Sequence, residues 1–217
     1  MTETAEVATP VGPARVHLHP AASPVAPLVL GHGAGGGVGA PDLAALAASL
    51  PGRGVTVVLV EQPWRVAGRR TATLPPTLDV AWVAVLEALV LPPPVFSGGR
   101  SAGARVACRT AVATGAVGVL ALAFPLHPPG RPDRSRAGEL LAAGVPTLVV
   151  QGDRDAFGGP ADLPAGPDVA RVPWADHSFA VPAAAPLTRR EALGIVVTAA
   201  GEWLADQVGN RGTRSRR

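Results

Sequence analysis

Gly99-Arg100-Ser101-Ala102-Gly103 follows the apolar run Pro94-Val95-Phe96-Ser97 and precedes the helix-like stretch Ala104-Arg105-Val106-Ala107-Cys108-Arg109. A G-x-S-x-G turn between a strand and a helix is the pattern of a nucleophile elbow. A serine at such a tip takes a strained backbone, and small flanking residues let the strand and helix come close enough to hold it there. Its hydroxyl is then presented to solvent. The backbone N–H of Ala102, at the start of the following helix, is placed to donate to an oxyanion, with the positive end of the helix dipole adding to the effect. A chain with 26 glycines produces such a pentapeptide by chance. The strand-turn-helix setting is what gives it weight.

On both sides of this turn, apolar runs alternate with helix-like stretches. Residues 7–11 and 15–19 read as short strands joined by Gly12-Pro13, and residues 28–31 as a third. A helix over 41–50, a strand over 55–60, a long loop and a helix over 77–91 lead to the elbow strand at Val95-Phe96. A helix over 102–114, a strand over 117–124, a helix over 136–143, a strand over 147–150, a weak strand over 168–172 and a helix over 188–208 follow. Near-continuous Val and Leu runs between helices are what a parallel sheet covered on both faces requires. The expected class is therefore α/β, a mostly parallel central sheet with helices on both faces and no insertion long enough for a large lid domain. Residues 1–13 form the N-terminal segment and first strand, 14–207 one domain, and 208–217 a disordered arginine-rich tail.

Composition excludes several classes. With 47% hydrophobic and 16% charged residues in 217, the chain has enough apolar matter for one substantial core. The net charge of +3 is misleading, because residues 211–217 carry four arginines and the remainder is close to neutral. That is no nucleic-acid footprint, and a solvated end explains the tail. One cysteine, Cys108, permits no internal disulfide and fits a reducing compartment; it reads as a small buried residue of the helix after the elbow. The acidic start Met1-Thr2-Glu3-Thr4-Ala5-Glu6 does not resemble a secretory signal, and the longest apolar run, 116–125, is too short to span a bilayer. A cytoplasmic location with no membrane partner is expected.

A serine hydroxyl needs a general base, usually a histidine oriented by a carboxylate. In an elbow fold the order is serine, acid, histidine, with the acid after a late strand and the histidine before the final helix. Gln151-Gly152-Asp153-Arg154-Asp155 supplies the acidic loop and Trp174-Ala175-Asp176-His177-Ser178-Phe179 the histidine. The catalytic set is then Ser101, Asp155 and His177. Asp155 is preferred to Asp153 because it lies further into the loop, leaving Asp153 to hold the turn through a local backbone bond. Asp176 adjoins His177 too closely to orient its ring and is read as structural.

A second oxyanion donor belongs in the glycine cluster His32-Gly33-Ala34-Gly35-Gly36-Gly37, where a backbone N–H can approach a substrate closely. Ala34 is the choice, with Gly33 or Gly35 as alternatives and His32 packed beneath the loop. A phosphate loop would need a lysine, and the chain has none. His17 and His19 share a strand face without the companions a metal site needs, and no metal or cofactor is expected. His127, at the carboxyl end of a strand, is a candidate for lining the pocket. The loop Glu61-Gln62-Pro63-Trp64-Arg65-Val66-Ala67-Gly68-Arg69-Arg70 has two readings: Trp64 and Arg65 contact an acidic part of a substrate, or the loop is solvated with Trp64 tucked into the core.

Taken together, His32-Gly33-Ala34-Gly35-Gly36, Gln62-Pro63-Trp64-Arg65, the elbow, Phe124-Pro125-Leu126-His127-Pro128-Pro129-Gly130, Gln151-Gly152-Asp153-Arg154-Asp155-Ala156-Phe157-Gly158 and Ala175-Asp176-His177-Ser178-Phe179 resemble the small α/β-hydrolase family related to dienelactone hydrolase. That group includes testis-expressed and chromatin-complex hydrolase-like proteins. The resemblance runs over about residues 14–207 and implies an α/β-hydrolase fold with Ser101 as nucleophile, Asp155 as acid and His177 as base. Dienelactone hydrolase uses a cysteine where this chain has Ser101. The implied activity is a cofactor-independent serine hydrolase acting on a carboxylic ester, thioester or related acyl bond of a small molecule. The alternative is a non-catalytic interaction module on the same fold, as some relatives serve as subunits of larger assemblies.

Overall fold

The computed structural model describes residues 2–214, with backbone alone for residues 212–214. The strands are β1 (Glu3–Val7), β2 (Ala14–His19), β3 (Ala26–Gly31), β4 (Val55–Glu61), β5 (Phe96–Arg100), β6 (Val119–Leu122), β7 (Thr147–Gly152) and β8 (Asp168–Val172). The α-helices are α1 (Pro41–Ser49), α2 (Pro63–Val66), α3 (Pro75–Ala88), α4 (Ala102–Thr110), α5 (Ala137–Leu141) and α6 (Arg189–Arg214). These strands form one sheet in the order β1-β2-β4-β3-β5-β6-β7-β8. β2 is antiparallel to both β1 and β4, and every pairing from β4 through β8 is parallel.

The Val and Leu runs are continuous because the parallel strands are covered twice. In β3, Leu28 and Leu30 face a core shared with Leu43 and Leu46 of α1 and Val196, Ala200 and Leu204 of α6. Val29 between them packs on the other side with Leu78, Trp82 and Val85 of α3. On that second face, Ala104, Ala107 and Cys108 of α4 and Leu140 of α5 cover Val119, Ala121 and Val149. The α/β expectation is met, and no connection among the described residues is long enough to carry a separate lid domain.

Several boundaries differ from the expected ones for local reasons. β1 stops at Val7 rather than continuing to Val11, because residues 9–12 close a turn: Thr9 Oγ1 donates to Gly12 O at 2.5 Å, and Pro10 has no N–H for a ladder. α3 begins at Pro75, where prolines at the first helical positions forgo only N–H groups that would be unpaired anyway. β6 ends at Leu122 because Ala123 takes φ 45°, outside the strand region. The tail needs a correction. Residues 208–214 continue α6 instead of forming a disordered end, and Arg211 Nη2 donates to Val117 O at 2.9 Å, tying the helix to the connection that leads into β6. Residues 215–217 of the expected tail lie outside the described residues. At its other end, α6 is opened by a reciprocal cap in which Thr188 N donates to Glu191 Oε2 at 2.6 Å and Glu191 N to Thr188 Oγ1 at 3.3 Å. No helix among the described residues is long and apolar enough to cross a membrane.

Candidate active site

Ser101 sits between β5 and α4 with φ 53° and ψ −110°, a conformation rare for a residue with a side chain. Its own N–H is held by Leu122 O at 2.9 Å. The flanking glycines are dictated by the end of β3: a Cβ on Gly99 would stand 2.5 Å from Gly31 O, and one on Gly103 2.3 Å from the same oxygen. Only a glycine at each place lets the strand, the turn and the helix meet there.

The loops after β7 and β8 converge on this serine. His177 Nε2 lies 3.0 Å from Ser101 Oγ, and His177 Nδ1 lies 2.8 Å from Asp155 Oδ2. The Asp155 carboxylate is buried; Oδ2 also accepts from Gln151 Nε2 at 2.9 Å and Oδ1 from Phe157 N–H at 2.8 Å. Because a carboxylate accepts, the imidazole proton belongs on Nδ1, which leaves Nε2 to accept from the serine hydroxyl. The Phe157 ring lies tilted against the imidazole, centroids 4.2 Å apart. Asp153 points elsewhere and pairs with Arg171 at 3.1 Å, in place of the local backbone bond expected for it. Asp176 Oδ1 accepts the N–H groups of Ser178 and Ala180, holding the histidine turn as anticipated.

Ala34 and Ala102 border one small pocket of about 10 Å³, together with His32, Gln62, Trp64 and Val106. Ala102 opens α4, so its N–H has no acceptor within the helix. His32 does lie under the glycine loop. Gln62 N–H donates to its Nε2 at 3.1 Å, so the proton sits on Nδ1 and is donated to Gly33 O at 2.8 Å. Burial pushes the His32 pKa down, consistent with this neutral ring. Of the two readings of the 61–70 loop, Trp64 fits parts of both: it is buried, edge-on to His32 at 5.4 Å, and its exposed margin forms pocket wall. Arg65 is exposed and lies beside Gly37, outside this pocket. His127 is half-buried, bonded through Nδ1 to Pro128 O at 2.9 Å, with Nε2 toward Gly158 and its backbone N–H donated to Phe157 O at 3.0 Å.

Sequence reasoning passed over three residues that shape the site. Gln151 links Phe124, Asp155 and Gly158 through its buried amide. Arg100 bonds the histidine loop and pairs with the buried Asp42. The signal available for Arg100 was a long cation set between small residues at the serine; nothing local marked the others. Burial pushes the Asp42 carboxyl up, an effect the Arg100 guanidinium opposes. Cys108 is enclosed, its thiol pushed up to about 12, so it is a protonated packing residue. Among the described residues, no three His, Cys, Asp or Glu side chains are grouped to hold a metal ion.

A family model described as an alpha/beta hydrolase domain matches residues 24–205. No curated protein matches the chain in sequence. Solved structures with the same architecture include XC6422 from Xanthomonas campestris, described as an α/β serine hydrolase without a lid: 23% identity, TM-score 0.69, covering 93% of this chain and 94% of that one. A dienelactone hydrolase from Anabaena variabilis is 21% identical with TM-score 0.73, covering 95% of this chain and 97% of its own. Est1E from Butyrivibrio proteoclasticus is 14% identical with TM-score 0.72, covering 95% and 99%. At these identities the likeness speaks for the fold.

Proposed function

The chain belongs to the α/β hydrolase domain family, and from that premise we propose that it is a serine hydrolase cleaving a carboxylic ester, thioester or related acyl bond of a small molecule. The observation that carries this reading is the unbroken line from Ser101 Oγ through the His177 ring to Asp155 Oδ2, at 3.0 and 2.8 Å. Ser101 Oγ attacks the acyl carbon while His177 Nε2 takes its proton. Asp155 keeps the Nδ1 proton in place and stabilises the imidazolium that forms. The N–H groups of Ala102 and Ala34 receive the oxyanion. His177 returns the proton to the leaving group, and water, deprotonated by the same ring, releases the acid and restores the serine. An acyltransferase would run the same steps with another acceptor. No cofactor enters. A lone buried cysteine supports a cytoplasmic setting.

A fluorophosphonate probe tests this reading, since it phosphonylates only a serine activated in this way. The wild-type protein is expected to be labelled and Ser101→Ala to remain unlabelled. A folded wild-type protein that resists labelling makes the chain an interaction module on a hydrolase scaffold.

The pocket beside the serine, at about 10 Å³, has room for a group the size of one water. Turnover of p-nitrophenyl acetate is therefore expected to exceed that of the octanoate by about 10-fold or more in kcat/KM. Faster octanoate cleavage would place the acyl chain somewhere other than this pocket.

A further inference from the structure

Arg100 fills the variable position of the elbow, directly before the nucleophile. Its guanidinium reaches three separate parts of the chain. Nη2 donates to His177 O at 2.8 Å and lies 3.4 Å from Ser178 Oγ, gripping the histidine loop. Nε lies 3.4 Å from Asp42 Oδ2, on the first turn of α1, where the carboxylate side chain is only 2% exposed. Nη1 lies against the glycine loop so closely that a Cβ on Gly33 would be 2.8 Å from it. Two of these parts carry a working group, the histidine loop His177 and the glycine loop Ala34, while Arg100 itself adjoins Ser101 and Asp42 supplies the counter-charge. Asp42 holds the guanidinium in a low-polarity setting, where its fork is aimed in two directions at once, something the single ammonium of a lysine does not do.

We propose that Arg100 is a positioning residue: anchored on Asp42, it sets the His177 imidazole and the Ala34 loop in register with Ser101. This rests on the serine-hydrolase reading above. Arg100 touches no reacting atom; it acts through the loop backbone that carries the imidazole. Displacing a catalytic group by about an ångström lowers rate by about 100-fold while leaving substrate binding nearly intact.

The test uses Arg100→Met and the double variant Arg100→Met with Asp42→Asn. The single variant leaves Asp42 as an unpaired buried carboxylate and is destabilised for that reason; the double variant removes this cost and keeps the fold. In the double variant kcat for p-nitrophenyl acetate is expected to fall about 30- to 100-fold, with KM within about threefold and the rate of fluorophosphonate labelling lowered in parallel. Arg100→Lys, with Asp42 kept, is expected to recover part of the loss. Amide hydrogen exchange in residues 176–180 should quicken in the variant while exchange in β3 and β5 does not. A double variant that melts near the wild-type temperature with kcat within threefold of it overturns the proposal, as does a loss confined to KM or one that merely follows melting temperature. Wild-type protein that is not labelled at all removes the serine-hydrolase reading and this role with it; normal labelling of both wild type and variant removes this role alone.

Discussion

Asp155→Asn is expected to lower kcat by about 10⁴-fold while KM and the fold stay nearly unchanged. The argument lies in the donors that surround the carboxylate. Asp155 Oδ1 accepts from Phe157 N–H, and Oδ2 accepts from both Gln151 Nε2 and His177 Nδ1. An asparagine has one acceptor to offer. If its oxygen keeps the Phe157 bond, its NH2 group takes the place of Oδ2 and confronts the Gln151 amide and the imidazole. The ring then presents its lone pair at Nδ1 and carries its proton on Nε2, facing a serine hydroxyl whose proton it no longer accepts. The two nearby acids offer no rescue, since Asp153 is paired with Arg171 and Asp176 is engaged by two N–H groups of the histidine turn. Steady-state rates on p-nitrophenyl acetate measure the effect. A decrease of less than about tenfold would take Asp155 out of the mechanism and require another orienting group for His177.

What was legible in the sequence follows from how local each constraint is. The elbow was legible because its geometry is written into five consecutive residues: the glycines are there because Gly31 leaves no space for anything larger. The order of strands and helices was legible because burial on two faces imposes unbroken apolar runs on β3, β4 and β7. The order of Ser101, Asp155 and His177 along the chain was legible for the same topological reason, although the distances between them were not. Arg100 makes its decisive bond to a carbonyl 77 positions away, and Gln151 bonds a backbone 27 positions away. Such partners leave no periodic or compositional trace. Trp64 shows the intermediate case. Its loop supports both a substrate-contacting and a core-packed reading; the structure buries Trp64 against His32, which Gln62 fixes in place, and also sets it in the pocket lining, a placement that depends on a bond spanning 30 positions. The helical stretch past residue 208 is hidden from the sequence because arginine density suggests solvation, whereas one of those arginines, Arg211, bonds the Val117 carbonyl just before β6.

Gly103→Ala is expected to destabilise the protein by about 3 kcal/mol or more, at the upper end of what a single added methyl does in a packed interior. Position 103 lies in the first turn of α4, and in an unobstructed helix the same change stabilises by about 1 kcal/mol, because alanine gives up less backbone freedom on folding. The sign reverses here through contact. The new Cβ would stand 2.3 Å from Gly31 O, 2.5 Å from Gly31 C and 3.0 Å from His32 O, all of them backbone atoms. Gly31 cannot retreat, because β3 is paired on one side with β4 and on the other with β5 at Gly31↔Gly99. Relief has to come from α4 moving off the sheet, which breaks its packing over Val119 and Ala121 and carries Ser101 with it. Gly194→Ala in α6 is the matched comparison: a Cβ there meets nothing within 4 Å, and the change is expected to raise stability by about 0.5–1 kcal/mol. Urea unfolding of the two variants beside the wild type measures both values. Opposite shifts in the midpoint are the expected result; a Gly103→Ala midpoint equal to the wild type would mean that the close meeting of β3, the elbow and α4 is not what holds Ser101 in its strained position.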